Sequence, residues 1–209
     1  YYMETGDRAF LEQAYPYLND IGGYLLRHIS AESGLIERLS GGKGPYEFGI
    51  IDWPATMRYG HDMSTVARTV INGWAVADFQ ILSRVAEVLG RTKDVATHRA
   101  LADRLAAAIN ARLRTPEGLY HDGLLSDGSS SPSTSQHANL FPLALDIVPE
   151  ESRSVVTDHV VRQGMSVGMV TVSWLVRALG ETGRGEALLD LLTNADQPGW
   201  ARTLARGGT

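Results

Sequence analysis

The chain has 209 residues, of which 44% are hydrophobic, 21% charged and 8% aromatic. That is enough apolar material for one sizeable core or two small ones, and it excludes disorder as the main state. Acidic residues number 24 against 19 basic ones, a net charge of −5, so the basic face of a general nucleic-acid binder is missing. With no cysteine there is no disulfide framework, thiolate metal site or cysteine nucleophile, and composition leaves compartment and oligomeric state open.

In chain order, Tyr1 to Asp7 have neither a basic n-region nor an apolar h-region, and position 1 is not methionine. The chain therefore reads as a piece of something longer. No apolar run approaches the roughly 20 residues of a membrane helix. The richest stretch, Val167 to Leu179, is interrupted by Gly168, Thr171, Ser173 and Arg177.

From Ser64 to Leu89 the residues Val66, Val70, Trp74, Ala77, Ile81, Val85 and Val88 recur at helical spacing and predict one wide apolar stripe. Gly90 ends that helix and Thr92 is a candidate N-cap for the next, whose stripe is Leu101, Leu105, Ala108, Ile109 and Leu113. So short a turn between two long helices makes an αα-hairpin. Similar junctions stand at Thr5-Gly6-Asp7-Arg8, at Leu179-Gly180-Glu181-Thr182-Gly183-Arg184 and at Asp146-Ile147-Val148-Pro149, with Pro149 placed as an N1-type start. Repeated hairpins predict an all-α fold, either an open solenoid or a closed α/α toroid. Two long, dissimilar connectors favour the toroid, whose rim loops would shape a pocket. One runs from Ser33 to Met63 and the other from Thr115 to Ser135; the serines of the second suggest mobility across Gly128 to Ser133.

The first connector holds the chemistry. In Tyr46-Glu47-Phe48-Gly49-Ile50-Ile51-Asp52-Trp53-Pro54, the proline biases Trp53 toward extended backbone. A loop tryptophan flanked by carboxylates suits a sugar: the indole covers a pyranose C–H face, and Glu47 or Asp52 accepts from hydroxyls. The alternative is that Trp53 fills a gap between hairpins and Asp52 caps a turn. Arg58, in Arg58-Tyr59-Gly60-His61-Asp62, could hold a carboxylate or a hydroxyl pair, and His61 with Asp62 could move protons, unless Asp62 or Ser64 only caps the next helix. His121-Asp122 has the same ambiguity. Gln136-His137 opens a helix with Ser135 as candidate cap, while Trp74 and Trp174 read as core and His28, His98 and His159 receive no role. No phosphate-binding glycine loop, metal-ligand spacing or nucleophile elbow occurs, so neither metal nor cofactor is expected. Glycoside hydrolysis needs two carboxyl groups, and Glu47, Asp52, Asp62 and Asp122 are available on the loops with no pair marked as acid and base.

These motifs, in this order, resemble the six-hairpin catalytic domain of bacterial α-L-rhamnosidases, glycoside hydrolase family 78. Tyr2 to Leu18 carries a Tyr-x-x-Thr-Gly-Asp element, and Asp52-Trp53-Pro54 is similar to the family's Asp-Trp sugar-binding loop. Val70 to Leu113 matches a hairpin with Leu-Gly punctuation, Asp94-Val95 replacing Asp-Ala. Ser135 to Pro149 matches a helix where His137 stands in place of a threonine. The resemblance implies part of an (α/α)6 toroid, an inverting reaction on terminal α-L-rhamnosides, and Asp52, Trp53, Glu47, Arg58 and His137 as substrate-binding candidates. It places the general acid in an Asp-Glu-Arg-x-Gly-Trp-x-Gly-Asp segment upstream of Tyr1. The general base would follow a Gly-x-Thr-Thr-x-Trp-Glu segment, of which Arg206-Gly207-Gly208-Thr209 resembles the opening. Both catalytic carboxylates are thus expected outside these residues, and no catalytic residue is assigned within them. Two other readings stand beside it: a sugar epimerase or isomerase using His61 and His137, and a non-catalytic helical-repeat module that binds a protein through its rim loops.

Overall fold

The structure, a computed structural model, describes residues 1–58, 60–195 and 200–207. Tyr59 of the first connector and the terminal Gly208-Thr209 lie outside them. Helix α1 (Tyr2–Thr5) stops at Gly6, and the Asp7 side chain accepts from Phe10 N at 3.0 Å to start α2 (Arg8–Leu26). Helix α3 (Thr69–Val88) ends at Gly90, whose φ of 73° only glycine adopts without strain. Bonds from Gly90 N to Glu87 O and from Arg91 N to Ala86 O close that last turn and send the chain directly into α4 (Thr92–Arg112). The same pair of bonds, from Gly183 to Gly180 O and from Arg184 to Leu179 O, joins α7 (Val172–Glu181) to α8 (Gly185–Thr193). Between these hairpins stand α5 (Gln136–Ala144) and α6 (Glu150–Arg162), and α9 (Trp200–Ala205) follows α8.

Each hairpin packs against itself, and α3, α5 and α7 pack side by side to form an inner row with α2 against α3. Gly22 allows the α2–α3 approach, since a Cβ there would meet Leu82 Cδ1 at 2.7 Å. Phe79, Leu82, Leu105, Ile109, Leu140, Phe141, Val160 and Leu175 fill one continuous core. The alternation of inner and outer helices sorts the loops. Tight turns lie at one rim, and the connectors 27–68, 113–135 and 163–171 lie at the other.

Several sequence expectations shift. Helix α3 begins at Thr69, not Ser64, because Ala67–Arg68 (β1) pair antiparallel with Gly123–Leu124 (β2) and tie the two long connectors together. The predicted stripe is rotated: Ile81 is 52% exposed, while Ala75, Phe79, Leu82 and Ala86 are buried, because this inner helix is packed by α2, α4 and α5 at once. Trp74 and Trp174 are half-buried and both pack against Phe141, with ring centres 5.2 and 5.8 Å away. Thr92 is the first residue of α4 and caps nothing, and Pro149 is an N-cap rather than N1. The serine tract is tied down: Ser131 is buried, with its N on Gly123 O and its Oγ on Asp62 Oδ2 at 2.7 Å.

One device occurs twice. The fourth residue of α3, Asn72, accepts from Ile36 N at 2.7 Å and donates to Ile36 O and Arg68 O. The fourth residue of α5, Asn139, accepts from Tyr120 N at 2.9 Å and donates to Tyr120 O and Ser135 O. Helices α3 and α5 thereby each grip the backbone of the connector ahead of them, as a strand would. Substituting Asn139→Ala strands the buried amide and carbonyl of Tyr120. We expect stability in urea unfolding to fall by about 2–3 kcal/mol, with the slope on urea unchanged.

Candidate functional site

The three connectors meet over the first turn of α5. Ser135 caps this helix, its oxygen accepting from Ala138 N. Its N and Oγ also donate to Asp122 Oδ1, at 2.8 and 2.6 Å. The other Asp122 oxygen accepts from Asp62 N at 2.6 Å, which brings the first connector onto the second. Gln136 donates to Val160 O and Gly164 O and accepts from Ser166 N, fixing the third connector. His137 Nε2 donates to Asp52 Oδ2 at 2.9 Å. The same Asp52 oxygen accepts from Gly168 N at 2.7 Å, and Asp52 Oδ1 accepts from Trp53 N at 2.8 Å.

Asp52 is therefore a clamp between connectors. Burial raises its pKa, but the donors from His137, Gly168 N and Trp53 N outweigh burial and hold the carboxyl below its usual value. Gly168 must be glycine to sit this close, because a Cβ would lie 2.6 Å from Met57 Cβ and 2.8 Å from Asp52 Oδ1.

The five residues expected at a sugar are divided by this arrangement. Asp52 and His137 are both 0% exposed, so their first partners are each other and the backbone rather than a ligand. Trp53, next to the clamp and joined to Pro54 by a cis peptide, is 51% exposed and presents its indole at the rim. Glu47 is exposed on the same connector, just past the 3₁₀ turn Gly44–Tyr46. Arg58 is 8% exposed and lies with its guanidinium carbon 4.7 Å from the centre of the Tyr46 ring.

Sequence reasoning missed Gly168 and Gln136. Gly168 was visible only as a break in an apolar run, and Gln136 only as a polar residue at a helix start. Asp62 caps no helix; it accepts from Ser64 N and Oγ in a local turn. His28, His98 and His159 contact Tyr24, Tyr15 and the Thr134 carbonyl respectively.

His61 and His137 do converge, with ring centres 6.3 Å apart, edge to face. Both side chains are wholly buried, so no sugar fits between them, and nothing here favours the epimerase reading. Burial, opposed by Asp122, pulls the His61 pKa down to about 4. Arg68 is likewise buried. Its guanidinium donates to the carbonyls of Gly49, Pro45 and Met63, and burial, helped by the charge of Arg58, lowers it to about 10. Among the described residues no group of three His, Cys, Asp or Glu could hold a metal, and no helix is long and apolar enough to cross a membrane.

A row of αα-hairpins with tight turns at one rim and a tryptophan-bearing, carboxylate-clamped connector at the other defines a domain of the α/α-toroid class. Residues 1–209 match throughout the family described as the bacterial alpha-L-rhamnosidase 6 hairpin glycosidase domain, and the chain belongs to that family. It is 21% identical over 216 residues to an alpha-L-rhamnosidase of Formosa agariphila, covering all of this chain and 21% of that protein. The family 78 rhamnosidase of Bacillus sp. GL1 superposes with a TM-score of 0.80 at 22% identity, over 98% of this chain and 20% of that one. The Streptomyces avermitilis alpha-L-rhamnosidase solved with L-rhamnose gives 0.69 at 22% identity, over 97% and 17%. The chain spans about a fifth of the length of the curated relatives it matches.

His61 yields a pH prediction. Its folded pKa of about 4 lies below the ordinary 6.5, so the unfolded chain takes up this proton first as pH falls. Stability should be full above pH 6.5 and decline toward pH 4, by at most about 1.4 kcal/mol per pH unit from this group. Urea unfolding across that range reads the slope. His61→Phe, which forfeits no hydrogen bond because both ring nitrogens lack partners, should flatten it.

Proposed function

We propose that these residues are the central part of the catalytic domain of a glycoside hydrolase that removes terminal α-L-rhamnosyl units with inversion. Trp53 is the sugar-stacking face, and Asp52 with His137 are the positioning residues that hold it. The observation that carries this reading is the half-exposed Trp53, whose backbone N–H donates to the buried carboxylate of Asp52. Stacking on a pyranose needs a fixed aromatic plane, and the clamp fixes the backbone from which Trp53 projects. Membership of the rhamnosidase family supports the choice of substrate class.

Inversion calls for two carboxyl groups about 6.5–9.5 Å apart with room for water between them. Of the loop carboxylates, Asp52 and Asp122 are buried under donors and Asp62 is held by Ser64 and Ser131, which leaves Glu47 facing solvent. No acid–base pair can be made from that set. The reading therefore takes both catalytic carboxylates from elsewhere in the parent protein. The contribution of this chain is binding and orientation.

The test uses the parent protein with an aryl α-L-rhamnoside, following the anomer first released by proton NMR. The β-anomer supports inversion and the α-anomer overturns it. Trp53→Ala should raise KM about tenfold, and the isolated chain should release no aglycone. Turnover by the isolated chain would refute the placement of the carboxylates.

A further inference from the structure

A cavity of about 180 Å3 opens where the turn 32–38, the tip of the second connector and the last turn of α4 meet. Its base is apolar: Val66 and Leu124 are both buried, and Val66 N donates to Leu124 O at 2.8 Å. That pair stands at one end of the β1–β2 ladder, whose other end is Thr69 N on Asp122 O at 3.0 Å, beside the clamp. Three residues of strand, roughly 10 Å, separate the two ends. Arg38 and Arg112 bring guanidiniums to the lining, and Glu32, Glu37 and Asp127 bring carboxylates. These charges of both signs share a small space, yet among the described residues they close no ion pair. Arg38 stands at φ 48°, a left-handed backbone that a non-glycine residue rarely keeps without cause. Its N donates to Val66 O at 2.8 Å and its Nη2 to Ser126 O at 3.4 Å.

Permanent donors and permanent acceptors around one apolar base match a ligand whose polar groups both donate and accept. A hydroxyl does both, whereas an ion uses only one of the two sets. Three carboxylates against two guanidiniums oppose an anion. The arginines oppose a cation, and among the described residues no group of three His, Cys, Asp or Glu could hold a metal. A pyranose satisfies each part of the lining. Its C–H face covers Val66 and Leu124, and its hydroxyls accept from guanidinium N–H groups and donate to carboxylates. The volume lies below the roughly 300 Å3 of pockets for drug-sized ligands and suits a single ring. We propose that this cavity is a second sugar-binding site, which takes one neutral pyranose unit. The unit belongs either to a remote part of the glycan held at Trp53 or to a separate glycan, and the recognition chemistry is the same for both. The site stands on its own lining and does not need the rhamnoside reading.

Binding is read on the parent protein carrying Trp53→Ala, so that the rim indole contributes nothing. The probes are methyl β-D-glucopyranoside, methyl β-D-galactopyranoside and methyl α-L-rhamnopyranoside, followed by saturation-transfer NMR. At least one should bind, with a Kd of about 1–10 mM. Adding Arg112→Gln or Glu32→Gln, both at exposed positions, should weaken that binding about fivefold or more. Absence of binding by all three probes at about 50 mM overturns the proposal, whether or not sulfate binds. Binding that neither variant weakens overturns it too. Once binding is shown, turnover by the wild-type parent separates the two sources. A rhamnosyl oligosaccharide ending in the bound sugar should exceed the aryl rhamnoside in kcat/KM, a gain lost in Glu32→Gln, if the unit belongs to the same chain. No gain assigns the site to a separate glycan. Failure of the rhamnoside reading would show separately, as no hydrolysis of either substrate, and would leave the binding result intact.

Discussion

The first turn of α5 is the constraint on which the functional rim depends. A helix start offers unpaired N–H groups and a positive dipole end, and this one is met by a buried carboxylate, Asp122, which takes both donors of Ser135. Once that turn is fixed, its next two side chains reach in different directions. Gln136 ties the third connector and His137 ties the first. Asp52 then closes the circuit by accepting from His137 and from Gly168 on the third connector. Two carboxylates and one helical turn thus hold together three segments that, among the described residues, share no regular secondary structure beyond a two-residue ladder.

The ionisation of these groups follows from the geometry. Asp52 lies at zero exposure, where an ionised carboxylate persists only if donors replace its water. His137 and the backbone N–H groups of Gly168 and Trp53 do so. His61, lodged among them without a hydrogen-bond partner on either nitrogen, stays neutral instead. The rim therefore keeps Asp52 and Asp122 inside and hydrogen-bonded, and leaves Trp53 half-exposed.

Helices and their junctions were legible in the sequence because their signals are local. Gly90 and Gly183 mark left-handed ends, Ser135 and Asp7 mark starts, and two long helices around one glycine turn must fold back on each other. The orientation of α3 was not legible. Periodicity finds one apolar stripe, whereas a helix covered on three sides buries residues such as Asn72 and Ser83 that no hydrophobic count selects. The site was legible by segment and not by role. Asp52-Trp53 stood out as a carboxylate beside an aromatic, but only the fold reveals that the carboxylate faces inward and the ring outward. Gly168 could not be found at all, because its meaning lies in a 2.7 Å contact to a residue more than a hundred positions earlier.

The repeated asparagine shows how such a domain separates stability from function. Asn72 and Asn139 each satisfy a connector's backbone N–H and C=O from the same helical position. Side-chain amides supply here what a β-ladder supplies elsewhere, so the connectors need no strand pattern of their own. That freedom explains why the two connectors share no sequence pattern while their helices follow one plan. Residues between the anchored points, Glu47, Trp53 and Arg58 among them, lie outside the hydrophobic core. In this protein they are an exposed carboxylate, a half-exposed tryptophan and a buried guanidinium packed on Tyr46.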